Sequence, residues 1–157
     1  MRTTLSLTWD EIENGTTFSS PTRTITAGDV GTFAGLTGDH AEHHTSAVVA
    51  AQGAFGRQIA HGLLVLSCAH GLMLGDGLLR GSVDAFAGIS DWKFVAPVFF
   101  GDTIKVNFSV VEKRESRSRP GKGILAFQVE VLNQDDVLVQ RGRKVLFMST
   151  SNGKSEE

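Results

Sequence analysis

Hydrophobic and polar residues follow two rhythms along this chain, and the change from one to the other falls near residue 83. Upstream, Val30, Phe33 and Leu36 recur at helical spacing behind Thr26 and Asp29, a pair set three apart as in a capping box. Ser46 to Phe55 predicts a second short helix, capped by Thr45 or Ser46. Residues 23–62 as a whole are rich in Gly, Thr, Asp and His and read as short helices joined by loops. Gly62 to Leu74 is apolar nearly all round, polar only at Ser67 and His70, which predicts a helix buried on every side. From Val83 onward the period becomes two. Ile104, Val106, Phe108 and Val110 alternate with Lys105, Asn107 and Ser109, and Phe127, Val129 and Val131 alternate with Gln128 and Glu130. Val137 to Met148 predicts a further strand, as does Asp84 to Val98 before Pro97 and Gly101 interrupt it. The short link Asn133–Asp136 predicts an antiparallel hairpin. One buried helix followed by antiparallel strands implies a sheet wrapped around that helix, an α+β architecture.

The length, 157 residues, suits one domain, expected over residues 1–150 with a frayed polar tail at 151–157. Seventeen acidic groups against fifteen basic ones give a net charge of −2, which argues against a nucleic-acid partner, since such domains carry a strong basic excess. The single cysteine, Cys68, excludes an internal disulfide and a Cys-based zinc site. The first fifteen residues hold no apolar signal segment, and the Gly62–Leu74 run is shorter than the about 20 residues that span a bilayer. A cytoplasmic protein without a membrane partner is expected.

Chemistry concentrates in one third of the chain. All five histidines, His40, His43, His44, His61 and His70, fall within 31 positions. The most polar piece runs from Thr37 to Thr45 around Gly38 and Asp39. Three chemistries compete for it. It can be a solvated helix-start loop with Asp39 as a cap. It can be a metal site using Asp39, His40, Glu42 and His43, although no established ligand spacing is present. It can be an Asp/His acid–base pair acting on a water, which requires both groups to converge on one point. Asp39 and His44 are about 500° apart on a helix and meet only if the segment is a loop. His61-Gly62 stands directly before the apolar helix, whose N-terminus presents unpaired N–H groups suited to an oxyanion. The competing reading of Gly62 is that it relieves crowding where the helix enters the sheet.

Three blocks in order, Thr26–Ser46 (TAGDVGTFAGLTGDHAEHHTS), Phe55–Leu64 (FGRQIAHGLL) and Phe94–Ile104 (FVAPVFFGDTI), resemble the MaoC-like dehydratases, specifically the (R)-specific enoyl-CoA hydratases of the hotdog fold. The resemblance runs from about Trp9 to Met148. It implies a hotdog fold, with Asp39 and His44 as the catalytic pair, preserving the D-x4-H spacing, and Gly62 as the oxyanion-hole glycine; His43 is out of register by one. It also implies acyl-CoA bound at the interface of a homodimer or higher homo-oligomer. The chain departs from the family pattern at Ala41-Glu42, where the family has Asn-Pro, at Ser46 in place of an Asp, and at His70 in place of a helix serine.

The activity implied is hydration of a trans-2-enoyl-CoA to the (R)-3-hydroxyacyl-CoA, or its reverse, with no cofactor or metal, because CoA belongs to the substrate. A hotdog thioesterase and a non-catalytic acyl-CoA-binding subunit are the alternatives. His61, Arg57, Lys93 and His70 are expected to contact substrate, Arg57 and Lys93 through CoA phosphates. The cationic stretch Arg114–Lys122 reads as a solvated hairpin connection, with phosphate contact as its second use. Trp92 and Phe94 read as core. The sheet's edges imply pairing with a second copy, unless charges such as Arg141, Arg143 and Lys144 blunt them.

Overall fold

Alternating strands can close a core only if something apolar lies across their inner face, and here a single helix does so. The computed structural model describes residues 7–75, 79 and 83–150; the tail expected at 151–157 lies outside them. A short 3-10 turn, Trp9–Glu11, precedes two small strands, β1 (Thr17–Ser19) and β2 (Arg23–Thr24). Three helices follow: α1 (Ala27–Thr37), α2 (Glu42–Thr45) and α3 (Ala47–Gln52). Helix α4 spans Gly62–Gly75, and four long strands complete the chain: β3 (Val83–Phe94), β4 (Thr103–Glu115), β5 (Lys122–Leu132) and β6 (Leu138–Ser149). The sheet is antiparallel in the order β1-β4-β5-β6-β3, with β2 also paired to β4.

The inner face is set by the period of two. Val106 opposes Val131, Phe108 opposes Val129 and Val110 opposes Phe127, and all six are buried. Against them α4 lays Leu64, Val65, Cys68, Ala69 and Met73, residues three and four apart on one stripe. Apolar burial of this kind supplies about 25 cal/mol per Å² removed from water, so strand phase and helix stripe reinforce each other. Two glycines admit tryptophans to the sheet. A Cβ on Gly123 would lie 2.4 Å from Trp9 ring atoms, and one on Gly142 would lie 2.5 Å from Trp92.

Several expectations change. Helix α4 is not buried on every side: Leu63 is 59% exposed, and Ser67 and Gly71 share its open side. Strand β2 replaces the start of the stretch that reads as helices and loops, because pairing with β4 outweighs the weak local signal of Arg23 and Thr24. The strand expected to reach Val98 ends at Phe94, three residues before Pro97, which has no N–H for a ladder. Helix α3 stops at Gln52 rather than Phe55, with Ser46 as its cap through a bond from the Val49 N–H. Nor are Arg141, Arg143 and Lys144 edge charges. Strand β6 lies between β5 and β3, and Lys144 is fully buried. The open long edge belongs to β3, where Phe86, Ile89 and Phe94 are exposed.

Candidate active site

The site is assembled from the end of α1, the turn α2 and the start of α4. Helix α1 begins at a reciprocal capping box, with Thr26 Oγ1 accepting from the Asp29 N–H at 3.1 Å and Asp29 Oδ2 accepting from the Thr26 N–H at 2.8 Å. Arg23 braces Asp29 at 2.8 Å. The helix ends at Gly38, whose φ of 78° lies in the left-handed region that glycine adopts without strain. That turn delivers Asp39. Its Oδ1 accepts from the Ala41 N–H at 3.3 Å, so the loop is closed without the Asn-Pro of the family pattern. Next, α2 carries His43 and His44, and the chain at 58–59 is tied to it, with Gln58 Nε2 donating to the His44 carbonyl at 2.9 Å and the Ile59 N–H to the His43 carbonyl at 3.2 Å.

His44 is 7% exposed. Its Nδ1 lies 2.7 Å from the Ile59 carbonyl oxygen, which only accepts; Nδ1 therefore donates, and Nε2 keeps its lone pair. Burial, the largest cause, pushes the His44 pKa below its ordinary value, as do the neighbouring His61 and His43, while the Ile59 carbonyl and Asp39 pull the other way. A neutral imidazole with a free Nε2 can take a proton. Asp39, His44 and His61 each bring a side-chain atom within 4.8 Å of the others, so the turn formed by α2 achieves the convergence that a continuous helix forbids. The His44 and His61 rings stack at 3.7 Å and 29°, and each ring uses one nitrogen on a backbone carbonyl, which leaves one ring nitrogen of each, with the Asp39 carboxylate, as the atoms that could also take a metal ion.

Beside His44 lies a cavity of about 390 Å³ walled mainly by Phe55, Ile59, Leu63, Phe94, Val95 and Val98, with His43, Gly62 and Gln140 as its polar margin. Gly62 opens α4, and among the described residues no protein acceptor is recorded for its N–H. A Cβ here would lie 2.7 Å from the Phe94 ring, so the crowding reading of Gly62 is true, and it coexists with the open donor.

The remaining expected residues are spread more widely. His61 is 2% exposed and lies behind His44 rather than on the cavity wall. Arg57 is exposed, with its guanidinium 3.7 Å from the centre of the Phe99 ring, near the Ile59–Phe99 bridge that borders the cavity. Lys93 sits opposite Arg141 and groups with Asp91, Glu130 and Arg143 in a separate charged depression on the sheet. His70 packs midway along α4 against Phe86 at 5.0 Å, where burial and then Lys144 push its pKa down. Phe94, expected in the core, is 57% exposed and forms the cavity wall. His43 also lines the cavity and contacts the His44 ring at 3.9 Å. The arginine-rich hairpin is a connection between β4 and β5, with Arg119 4.8 Å above the Phe147 ring.

Gln140 is the residue that sequence reasoning misses. Buried in β6, it donates from Nε2 to the Gly62 carbonyl at 2.9 Å and accepts from Trp92 Nε1 at 3.1 Å. The available signal is a polar residue in the same strand phase as Leu146 and Met148, an inward position that calls for a partner.

His44 and Gly62, the first residue of α4, both line the apolar cavity, and Asp39 stands within 4.8 Å of His44 without lining the cavity. The chain belongs to the MaoC-like dehydratase family: residues 11–131 match the family model described as a MaoC like domain. Protein MaoC of Klebsiella aerogenes is 35% identical over 111 residues, covering 71% of this chain and 32% of that longer protein. The (R)-specific enoyl-CoA hydratase of Aeromonas caviae is 33% identical over 121 residues, covering 76% of this chain and 84% of that one. Among solved structures, the monoamine oxidase regulatory protein of Archaeoglobus fulgius superposes with a TM-score of 0.85 at 36% identity, covering 93% of this chain and 96% of that chain. A Mycobacterium tuberculosis protein described as a double hotdog fold superposes at 0.82 with 20% identity, covering 93% of this chain and 45% of that one. The fold is a hotdog, as the sequence resemblance implies.

Proposed function

We propose that the protein is a hydro-lyase acting on acyl-CoA thioesters, adding water to a trans-2-enoyl-CoA to give the (R)-3-hydroxyacyl-CoA, or the reverse. The observation that carries this reading is the His44 imidazole, neutral and with Nε2 free, converging with the Asp39 carboxylate beside an apolar cavity. The two groups hold one water. His44 Nε2 takes its proton as the oxygen bonds to C3, and the C2–C3 π electrons move toward the thioester carbonyl. The Gly62 N–H at the start of α4 stabilises the resulting enolate oxygen. The imidazolium then returns a proton to C2, so one water has been added and both groups are regenerated. Loss of enoyl-thioester absorbance across several chain lengths tests the activity. Asp39→Asn and His44→Gln should each lower turnover by roughly 10²–10⁴-fold, with the double variant far from additive. Release of free CoA would identify a thioesterase instead, and ligand binding without turnover a non-catalytic subunit.

The same reading places the working unit in a homodimer. Leu63, Phe94 and Val95 are apolar cavity-wall residues exposed in the single chain, and they run into the open β3 edge with Phe86 and Ile89. A second copy paired there would extend the sheet and close the cavity. Light scattering at micromolar concentration should give about twice the 16.8 kDa chain mass. A chain-mass particle with full activity would refute the dimer.

A further inference from the structure

We propose that His61 is a positioning residue that holds Asp39 and His44 in register, one through a hydrogen bond and the other through ring stacking. The proposal rests on the hydratase reading. His61 Nε2 lies 2.9 Å from the backbone carbonyl oxygen of Asp39. That oxygen only accepts, so Nε2 carries the proton and donates it. The same nitrogen is 3.9 Å from Asp39 Oδ2, which sets the carboxylate directly over the ring's polar edge. On one face the ring stacks against His44 at 3.7 Å and 29°, and Phe33 of α1 lies 5.0 Å from it at 53°.

The other nitrogen makes the case for more than packing. With the proton on Nε2, Nδ1 bears a lone pair, and among the described residues this buried atom has no partner. Unsatisfied buried polar atoms are rare and destabilising. A phenyl ring would fill the same space without that cost but could not donate to Asp39. The side chain of Asp39 is half exposed, and its carboxylate bond to the Ala41 N–H is long, at 3.3 Å. The His61 bond, made from a buried ring, is therefore the tie that fixes where the carboxylate starts. Loss of it should leave the cavity and substrate binding intact while spoiling the alignment of acid and base, for which a displacement near 1 Å can cost about 10²-fold.

Three variants separate the donor from the ring. Glutamine places an amide N–H at about the reach of Nε2, asparagine stops one methylene short, and phenylalanine keeps the ring but has no donor. With crotonyl-CoA as probe, His61→Phe and His61→Asn should each lower kcat by about 10²-fold with KM within about twofold of the parent, whereas His61→Gln should restore most of kcat. If His61→Phe does not fold, the Gln/Asn pair still decides the matter, since the two differ by a single methylene. Equal kcat in the Gln and Asn variants, or a loss expressed in KM, would overturn the positioning role. A parent protein that hydrates no enoyl-CoA would overturn the hydratase reading and this role with it, an outcome distinct from an active parent with indifferent variants.

Discussion

Lys144 is the most expensive side chain in the core, and removing its charge should stabilise the protein. It is 0% exposed, its Nζ has no hydrogen-bond partner among the described residues, and its neighbours across the sheet are Ile89 and Phe127. Burial pushes its pKa down from 10.5 to about 8. Each tenfold loss of proton affinity is about 1.4 kcal/mol, so the charged form at pH 7 costs about 3 kcal/mol. The Trp92 ring, 5.2 Å from Nζ, recovers part of this, since a desolvated cation–π contact contributes up to about 2 kcal/mol. Methionine keeps the length of the stem without the charge. Lys144→Met should therefore raise stability by about 1–3 kcal/mol at pH 7, or roughly 2–12 °C in Tm for a chain of this size. The pH dependence has a definite sign. Below the folded-state value of about 8, both states carry the proton and the cost is fully present. Between 8 and 10.5 the unfolded state alone retains it, so the parent gains stability as pH rises and the advantage of the variant shrinks. Urea unfolding of both proteins, at fixed protomer concentration and at several values from pH 7 to 10.5, measures this. A variant less stable than the parent at pH 7, or a gap that does not move with pH, would refute the reasoning.

Other consequences can be checked with single variants. His44 is held below its ordinary value of 6.5, chiefly by burial, so the acid limb of kcat/KM should fall below pH 6.5, and stability should decline as pH drops through 6.5 because the unfolded state then binds the extra proton. An acid limb above 6.5 would exclude His44 as the base. Gly62→Ala should depress kcat/KM because its Cβ meets the Phe94 ring at 2.7 Å; if the pair Gly62→Ala with Phe94→Leu regains the parent rate, crowding alone explains the glycine. Gln140→Leu should lower thermal stability by about 1–3 kcal/mol by leaving Trp92 Nε1 without its acceptor, seen as a drop in the denaturant midpoint. Gly123→Ala should destabilise more than a surface change, since Trp9 stands 2.4 Å from the new Cβ, and an unchanged midpoint would show that Trp9 can move aside.

What was legible in the chain came from local periodicity and local spacing. The period of two in β4, β5 and β6 and the apolar density of α4 specify their partners' faces, because alternate side chains must share one side of a sheet. The Thr26–Asp29 capping box and the Gly38 turn act over four residues or fewer, so α1 and the placement of Asp39 could be read directly. The D-x4-H spacing marked Asp39 and His44, but spacing does not bring two groups together. Their convergence depends on the α2 turn and on ties from Gln58 and Ile59, contacts 14 and 15 residues distant. Longer range hides more. Gln140 reaches Gly62 across 78 residues, and nothing near either residue announces the other. Burial misled in both directions: Phe94 and Leu63 look like core and stand open, while Lys144 looks like surface and is enclosed. A side chain's type states its preference for water, whereas its exposure depends on strand order, and here β6 runs inside the sheet while β3 takes the edge.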